Sequence, residues 1–243
     1  MSLPIENYII DIVFVVDATN GGAIIDNVKE GIKQINEQLY KGFEAWRGIS
    51  REQLPLREKL VFFGDYATEA DKAIIQTEFF DMATQKEEFE KQLEREDIKM
   101  RGGDSPENGL EALFTAINSD WTPIGKGVYG RHVIVLISDA YPLRLYERDG
   151  CPGYVADDFP SNVAELESIW NESDYYKTTT LSRRHKRLIL CVPGGEDYHR
   201  RTWQDVSCWE HVSLNPVELH GGCSEARDVG LFHSVFEEIF RSE

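Results

Sequence analysis

The sequence lacks most of the short signals that announce a function. It has no P-loop and no G-x-S-x-G elbow, so the Walker-type nucleotide-binding and serine-hydrolase fingerprints are excluded. Its four cysteines, Cys151, Cys191, Cys208 and Cys223, include no C-x-x-C pair, which argues against a zinc ribbon or a thioredoxin-type motif. No apolar stretch is long enough to span a bilayer. The N-terminus lacks a basic region followed by an apolar core and a cleavage site, so no signal peptide is expected. Without one, the sequon Asn171-Glu172-Ser173 is discounted, and a reducing, cytoplasmic setting is expected. Basic residues are scarce, 26 against 43 acidic ones, for a net charge of −17. That excess repels nucleic acid and anionic membrane and favours cations. Neither repeats nor low-complexity tracts occur.

What is present is an ordinary globular composition over 243 residues, 41% hydrophobic and 28% charged. It is read as one domain over residues 1–243 with a loop-rich insertion at about 143–182. The stretch Tyr8 to Gly22 organises the rest. Ile9, Ile10, Ile12, Val13, Phe14, Val15 and Val16 make a nearly continuous apolar run, broken only by Asp11, as expected of a strand buried on both faces. It stops at Asp17-Ala18-Thr19-Asn20-Gly21-Gly22. An amphipathic helix to about Trp46 follows, with Ile24, Val28, Ile32, Ile35, Leu39 and Phe43 at steps of three and four. Lys59 to Phe63 reads as a strand, Ala73 to Phe80 as an antiparallel edge strand, and Gln85 to Glu96 as a polar helix. Gly102-Gly103-Asp104-Ser105-Pro106-Glu107 is expected to open a helix striped by Leu110, Leu113, Phe114 and Ile117. His132 to Ile137 is a second buried strand, ending in Ser138-Asp139-Ala140-Tyr141-Pro142. The insertion carries a helix from Asn162 to Trp170. The basic run Arg183 to Arg187 reads as a solvated entrance to a strand at Leu188 to Val192, with Cys191 a buried thiol. A helix near Tyr198 to Ser207, a short strand at His211 to Leu214 and a closing helix at Arg227 to Arg241 complete the chain. Strands alternating with helices imply a doubly wound, mostly parallel, Rossmann-like α/β sheet of about six strands, one of them an antiparallel edge, with helices on both faces.

Three acidic corners stand out. Asp17 and Asp139 directly follow buried strands, and Asp104 precedes a helix. In a doubly wound sheet those places share one edge. Converging carboxylates repel unless a cation neutralises them, and an oxygen-only set suits Mg²⁺, Mn²⁺ or Ca²⁺. Thr19 would add a hydroxyl. Each residue also has a purely local reading. Asp17 can be a turn residue. Asp104 and Glu107 fit a capping box, or Ser105 an N-cap with Pro106 at N1. Asp139 can cap its own turn.

These motifs resemble those of the von Willebrand factor type A domain. Asp17-Ala18-Thr19-Asn20-Gly21 is similar to the family's D-x-S-x-S turn. Gly102-Gly103-Asp104-Ser105-Pro106-Glu107 resembles the GGD-x-PE loop of its α-kinase-associated and bacterial intracellular branch. Phe62-Phe63-Gly64-Asp65-Tyr66 resembles that branch's aromatic-x-D segment. Trp121, with the strand ending Ser138-Asp139-Ala140-Tyr141-Pro142, resembles its D-A-P-P-type turn. The likeness covers most of the chain in the expected order. Gly21 replaces the second serine of the turn, and Asp104 stands where the wider family has Thr or Asp. The resemblance implies a metal-ion-dependent adhesion site using Asp17, Thr19, Asp104 and Asp139 around Mg²⁺, or Mn²⁺ or Ca²⁺. It also implies an open coordination position that a partner protein's carboxylate completes. The function expected is a non-enzymatic scaffold or regulatory module. The alternative is a Mg²⁺-dependent phosphohydrolase on a Rossmann-like sheet, although no acid lies two residues after Asp17 and no lysine sits in an evident catalytic motif.

Overall fold

A computed structural model describes residues 8–19, 23–48, 50, 53, 55–102, 106–171, 180–194, 201–218, 223 and 236–237. Seven strands form one sheet. β1 (Tyr8–Asp17), β2 (Leu56–Phe63), β5 (Tyr129–Ile137), β6 (Lys186–Pro193) and β7 (Val212–Val217) run parallel, and β3 (Ile74–Gln76) and β4 (Phe80–Asp81) pair antiparallel with β2. The order is β3-β2-β1-β5-β6-β7, with β4 also against β2. The helices are α1 (Ala23–Arg47), α2 (Tyr66–Glu69), α3 (Lys86–Leu93), α4 (Gly109–Ile117), α5 (Val163–Asn171) and α6 (Arg201–Ser207), with short 3-10 turns at Ala70–Lys72, Glu96–Ile98 and Ala156–Asp158.

The apolar run of β1 is buried on both faces for the reason its composition gives. Alternate side chains of a strand point to opposite faces. Ile10, Ile12, Phe14 and Val16 join α1 residues Ile24, Val28, Ile32, Ile35 and Leu39 in one core. Val13 and Val15 join Leu110 and Leu113 of α4, Leu166 and Trp170 of α5 and Trp203 of α6 in the other. Asp11, the polar interruption, is fully buried but paired. Arg57 donates to it from Nε at 2.9 Å and Nη2 at 2.6 Å, and the Thr122 amide donates at 2.7 Å. A buried carboxylate is tolerated when bonded on this scale.

Several boundaries differ from the sequence-based expectation. The edge strand expected over Ala73 to Phe80 breaks in two. The Thr77 hydroxyl accepts from the Leu60 amide at 3.1 Å in place of a backbone carbonyl, and the pairing register slips by one residue before Phe80 meets Glu58. That is a one-residue bulge at a sheet edge. The basic run is not wholly solvated. Arg183 and Arg184 are exposed, but β6 carries Lys186 and Arg187 into the interior, where the Lys186 ammonium donates to the Trp170 carbonyl and lies 4.4 Å from the Trp170 ring centre. The expected closing helix lies outside the described residues except for Phe236 and Glu237, which are helical. Among the described residues no helix is long and apolar enough to cross a membrane.

Candidate metal centre at the carboxyl edge

From β1 the chain crosses through α1 to β2 on one side, and later places β5 on the other side of β1. The order therefore reverses between β1 and β5. Ligand sites of open α/β sheets lie at such a reversal, beyond the strand carboxyl ends. Val16 is opposite Ile137 in the parallel register, so Asp17 at the end of β1 comes level with Ser138 and Asp139 after β5.

Asp17 is completely buried. Its Oδ1 accepts from the Thr19 amide at 3.0 Å and from the Thr19 hydroxyl at 2.7 Å, an Asx-type turn reinforced by a hydroxyl. Its Oδ2 accepts from the Ser138 hydroxyl at 2.7 Å, which in turn accepts from the Ala140 amide at 3.0 Å. Burial pushes the Asp17 carboxyl up to about 6, against the lowering effect of these hydrogen bonds, and the charge of buried Asp139 adds to the rise. Two carboxylates, Thr19 and Ser138 thus gather at one spot with oxygen donors only. A hard divalent cation fits that set, because it offsets both the burial and the mutual repulsion.

The surrounding loops are stitched together by backbone hydrogen bonds. Ala18 donates to Phe63 at 2.8 Å, Met100 to Ala18 at 2.9 Å and Asn108 to Gly64 at 3.3 Å. Glu107 bridges Pro142, its amide donating to Tyr141 at 2.9 Å and its carbonyl accepting from Leu143 at 2.7 Å. Gly102 has φ +51, and a β-carbon there would fall 2.6 Å from Cβ of Thr19. A glycine is therefore required both by conformation and by the closeness of Thr19. Trp203 of α6 donates from Nε1 to the Ala140 carbonyl at 3.2 Å, fastening the turn that carries Asp139.

Of the four residues expected at the site, the structure brings Asp17, Thr19 and Asp139 together. Asp104 lies outside the described residues, and among those described no third Asp, Glu, His or Cys completes a ligand group. The capping readings of Asp104 and Ser105 also fall outside the described residues; α4 starts at Gly109 with Asn108 at its N-cap, later than expected, and the backbone of Glu107 before it is engaged with the Tyr141–Leu143 segment. Ser138, which joins the Asp17 and Asp139 corners, was not anticipated; its signal is a hydroxyl directly before a strand-end Asp.

The insertion packs beside this edge. Asp65 caps α2 through the Ala67 amide at 2.8 Å and receives the Arg148 guanidinium through both Nε and Nη2. That bond holds the Arg148 guanidinium above its usual range. Tyr66 meets Tyr154 edge-on at 5.1 Å, and Gly153, at φ +80, sits so close to the Asp71 backbone that a β-carbon would come within 2.5 Å of its nitrogen. Beneath them Glu111 of α4 is fully buried, its carboxyl pushed up to about 7, chiefly by burial, with the Tyr154 hydroxyl 3.4 Å away. Of this cluster the sequence motifs include only Asp65 and Tyr66, since only tertiary contact joins residues 65, 111, 148 and 154.

No protein-family model matches the chain, and no curated protein matches it in sequence. Solved structures do resemble it. The pilus adhesin SpaC from Lactobacillus rhamnosus GG aligns over 96% of this chain at 12% identity with a TM-score of 0.55. Proximal thread matrix protein 1 from the mussel byssus aligns over 96% at 12% identity with a TM-score of 0.50. The von Willebrand factor domain of the Porphyromonas gingivalis pilus tip protein Mfa5 aligns over 97% of each chain at 12% identity with a TM-score of 0.48. The chain spans 30% of the SpaC chain and 48% of the mussel protein. With the strand order, the parallel register and the reversal between β1 and β5, the alignments with SpaC and the mussel protein show the fold: the chain is a doubly wound, mostly parallel α/β sheet covered by helices on both faces.

Proposed function

We propose that the chain is a non-enzymatic protein-binding module, a scaffold or regulator, whose carboxyl edge holds a divalent cation through Asp17, Thr19, Asp104 and Asp139. A carboxylate of the partner protein completes the coordination. The observation that carries this reading is the pairing of buried Asp17 with buried Asp139 across the β1/β5 reversal, with Thr19 and Ser138 hydroxyls as the only other donors described there. An oxygen-only set selects Mg²⁺, Mn²⁺ or Ca²⁺ over zinc or copper. Ser138 then acts as a positioning residue, holding the Asp17 carboxylate while Asp139 approaches from β5. Names of the similar structures, an adhesin and a matrix protein among them, support the protein-binding part of the reading. The insertion packed on Asp65 lies at the rim and would select the partner. The setting that goes with this reading is reducing, intracellular and bacterial-type.

The test is a thermal-stability titration with Mg²⁺, Mn²⁺ and Ca²⁺ on the wild type and on Asp17→Asn, Asp17→Ala and Asp139→Ala. Mass action gives about 2.7 kcal/mol of added stability at a hundredfold excess over Kd. The variants should lose that gain and also lose capture of the partner in a pull-down. A wild type indifferent to all three cations would overturn the reading, and metal-dependent turnover of generic phosphoesters would replace it with the hydrolase alternative.

A further inference from the structure

The opposite, amino edge of the sheet carries a second concave site of reversed charge. Loops leading into β5, β6 and β7 enclose a cleft of about 1040 Å³, lined among others by Lys126, Arg183, Arg184, His185, Glu210 and His211. In a chain of net charge −17, three fixed cations from two loops 57 residues apart converge here. The lone carboxylate among these six residues, Glu210, is 61% exposed and lies 3.7 Å from His211 rather than against an arginine. The mean field of an acidic protein does not call for such a cluster, and solvation alone gives Arg183 and Arg184 no reason to line one cleft with Lys126.

The cleft is also built rather than draped. The Thr180 hydroxyl donates to the Trp121 carbonyl at 2.6 Å, tying the loop before β6 to the loop before β5. The Ser182 amide donates to Nδ1 of buried His132 at 2.9 Å, so the imidazole proton resides on Nε2, facing the Thr122 carbonyl at 2.9 Å. The Ser182 hydroxyl lies 2.9 Å from Nδ1 of His185, and the His185 carbonyl accepts from the His132 amide at 3.1 Å. His211, on the far wall, adopts φ 64, and its carbonyl accepts from the Leu188 amide at 3.0 Å. Left-handed backbone at a residue other than glycine is uncommon and gathers at binding sites.

We propose that this cleft binds a compact polyanion bearing phosphoryl groups, held by the Arg183 and Arg184 guanidinium forks and the Lys126 ammonium. Size decides against a polymer. The volume is that of a small-ligand pocket, roughly the upper end of such sites, and the chain's net charge of −17 repels an extended polyphosphate backbone. Guanidinium forks match phosphate oxygens two at a time, and the ammonium adds a point charge. The site is separate from the Asp17 edge and needs no metal.

The experiment is calorimetric titration of the full chain with sodium tripolyphosphate, in chelator and at low salt. Arg183→Gln, Arg184→Gln and Lys126→Gln are compared with Lys33→Gln on α1 as a control. All four residues are exposed, so folding is not at stake. Saturable binding is expected, weakened roughly tenfold or more by each cleft substitution, unchanged in the control, and steeply reduced by salt. Vesicles carrying a polyphosphoinositide distinguish the source. Binding to tripolyphosphate alone assigns the site to a free phosphorylated metabolite, and binding to both assigns it to a lipid headgroup. Absence of saturable binding, equal affinity in the cleft variants, or tighter binding of oligoglutamate than of tripolyphosphate overturns the proposal.

Discussion

Glu58 offers a sharp test of how this fold handles buried charge. It lies on β2 opposite Phe80 of β4, fully buried, and its Oε2 accepts from Nδ2 of Asn36 on α1 at 3.0 Å. Its Oε1 and the Asn36 Oδ1 are both buried without a hydrogen bond. Two acceptors left over on one pair require a proton, and burial supplies it. The Glu58 carboxyl is pushed up to about 8, against the Asn36 hydrogen bond and the Lys86 charge, with Glu90 of α3 adding to the rise. The folded state thus holds a proton that the unfolded chain releases near 4.5. Stability from this group is fully present below pH 4.5 and is lost as pH rises toward 8. One pKa unit is worth about 1.4 kcal/mol, so the loss reaches about 3 kcal/mol at pH 7. Glu58→Gln keeps the shape and brings its own donor for the Asn36 oxygen. It should therefore be more stable than wild type by up to about 3 kcal/mol at pH 7 and show no gain at pH 4.5. Urea unfolding of both proteins at pH 4.5, 7 and 8.5 reads the difference, in which other titrating groups cancel. A difference that does not grow with pH, or a Gln variant less stable at pH 8.5, refutes the reasoning.

Three further outcomes follow from the same geometry. Arg148→Met leaves the buried Asp65 carboxylate without its guanidinium and should cost about 2 kcal/mol, discounted for the part of Arg148 that meets water, with protease cleavage rising in the 143–171 segment. Gly102→Ala meets both the φ of +51 and the Thr19 side chain, so a loss of about 2–4 kcal/mol in denaturant unfolding is expected, together with loss of any cation-induced stabilisation. Burial holds the His132 imidazole down to about 4 despite the charge of Asp11. Its folded value is below the ordinary 6.5, so the fold loses up to about 3 kcal/mol from this group as pH falls from 6.5 to 4. An NMR titration showing His132 charged at pH 6 would contradict that.

The parts of the fold set by local pattern were legible in the sequence. The apolar runs at β1, β5 and β6 could only be strands covered on both faces, and the stripe from Ile24 to Phe43 could only be a helix lying on them. Asp17 and Asp139 were legible as a pair because both end such strands. What escaped depended on partners distant in sequence. The bulge at Thr77 arises when a side-chain hydroxyl displaces a ladder carbonyl, and alternation of residues does not encode that. The late start of α4 goes with the Glu107 backbone, which pairs with a turn 34 residues away, a contact no local pattern encodes. Lys186 reads as solvated from its basic neighbours, and only the Trp170 ring and carbonyl make its burial tolerable.

The central claim, a divalent cation at the β1/β5 reversal, is tested most directly by anomalous scattering from crystals grown with Mn²⁺. The account requires an anomalous peak within roughly 2.0–2.6 Å of oxygens from the Asp17, Thr19 and Asp139 corner, absent from Asp17→Asn crystals grown alike. A clean map with no peak at that corner, or a peak held elsewhere on the chain, would contradict it.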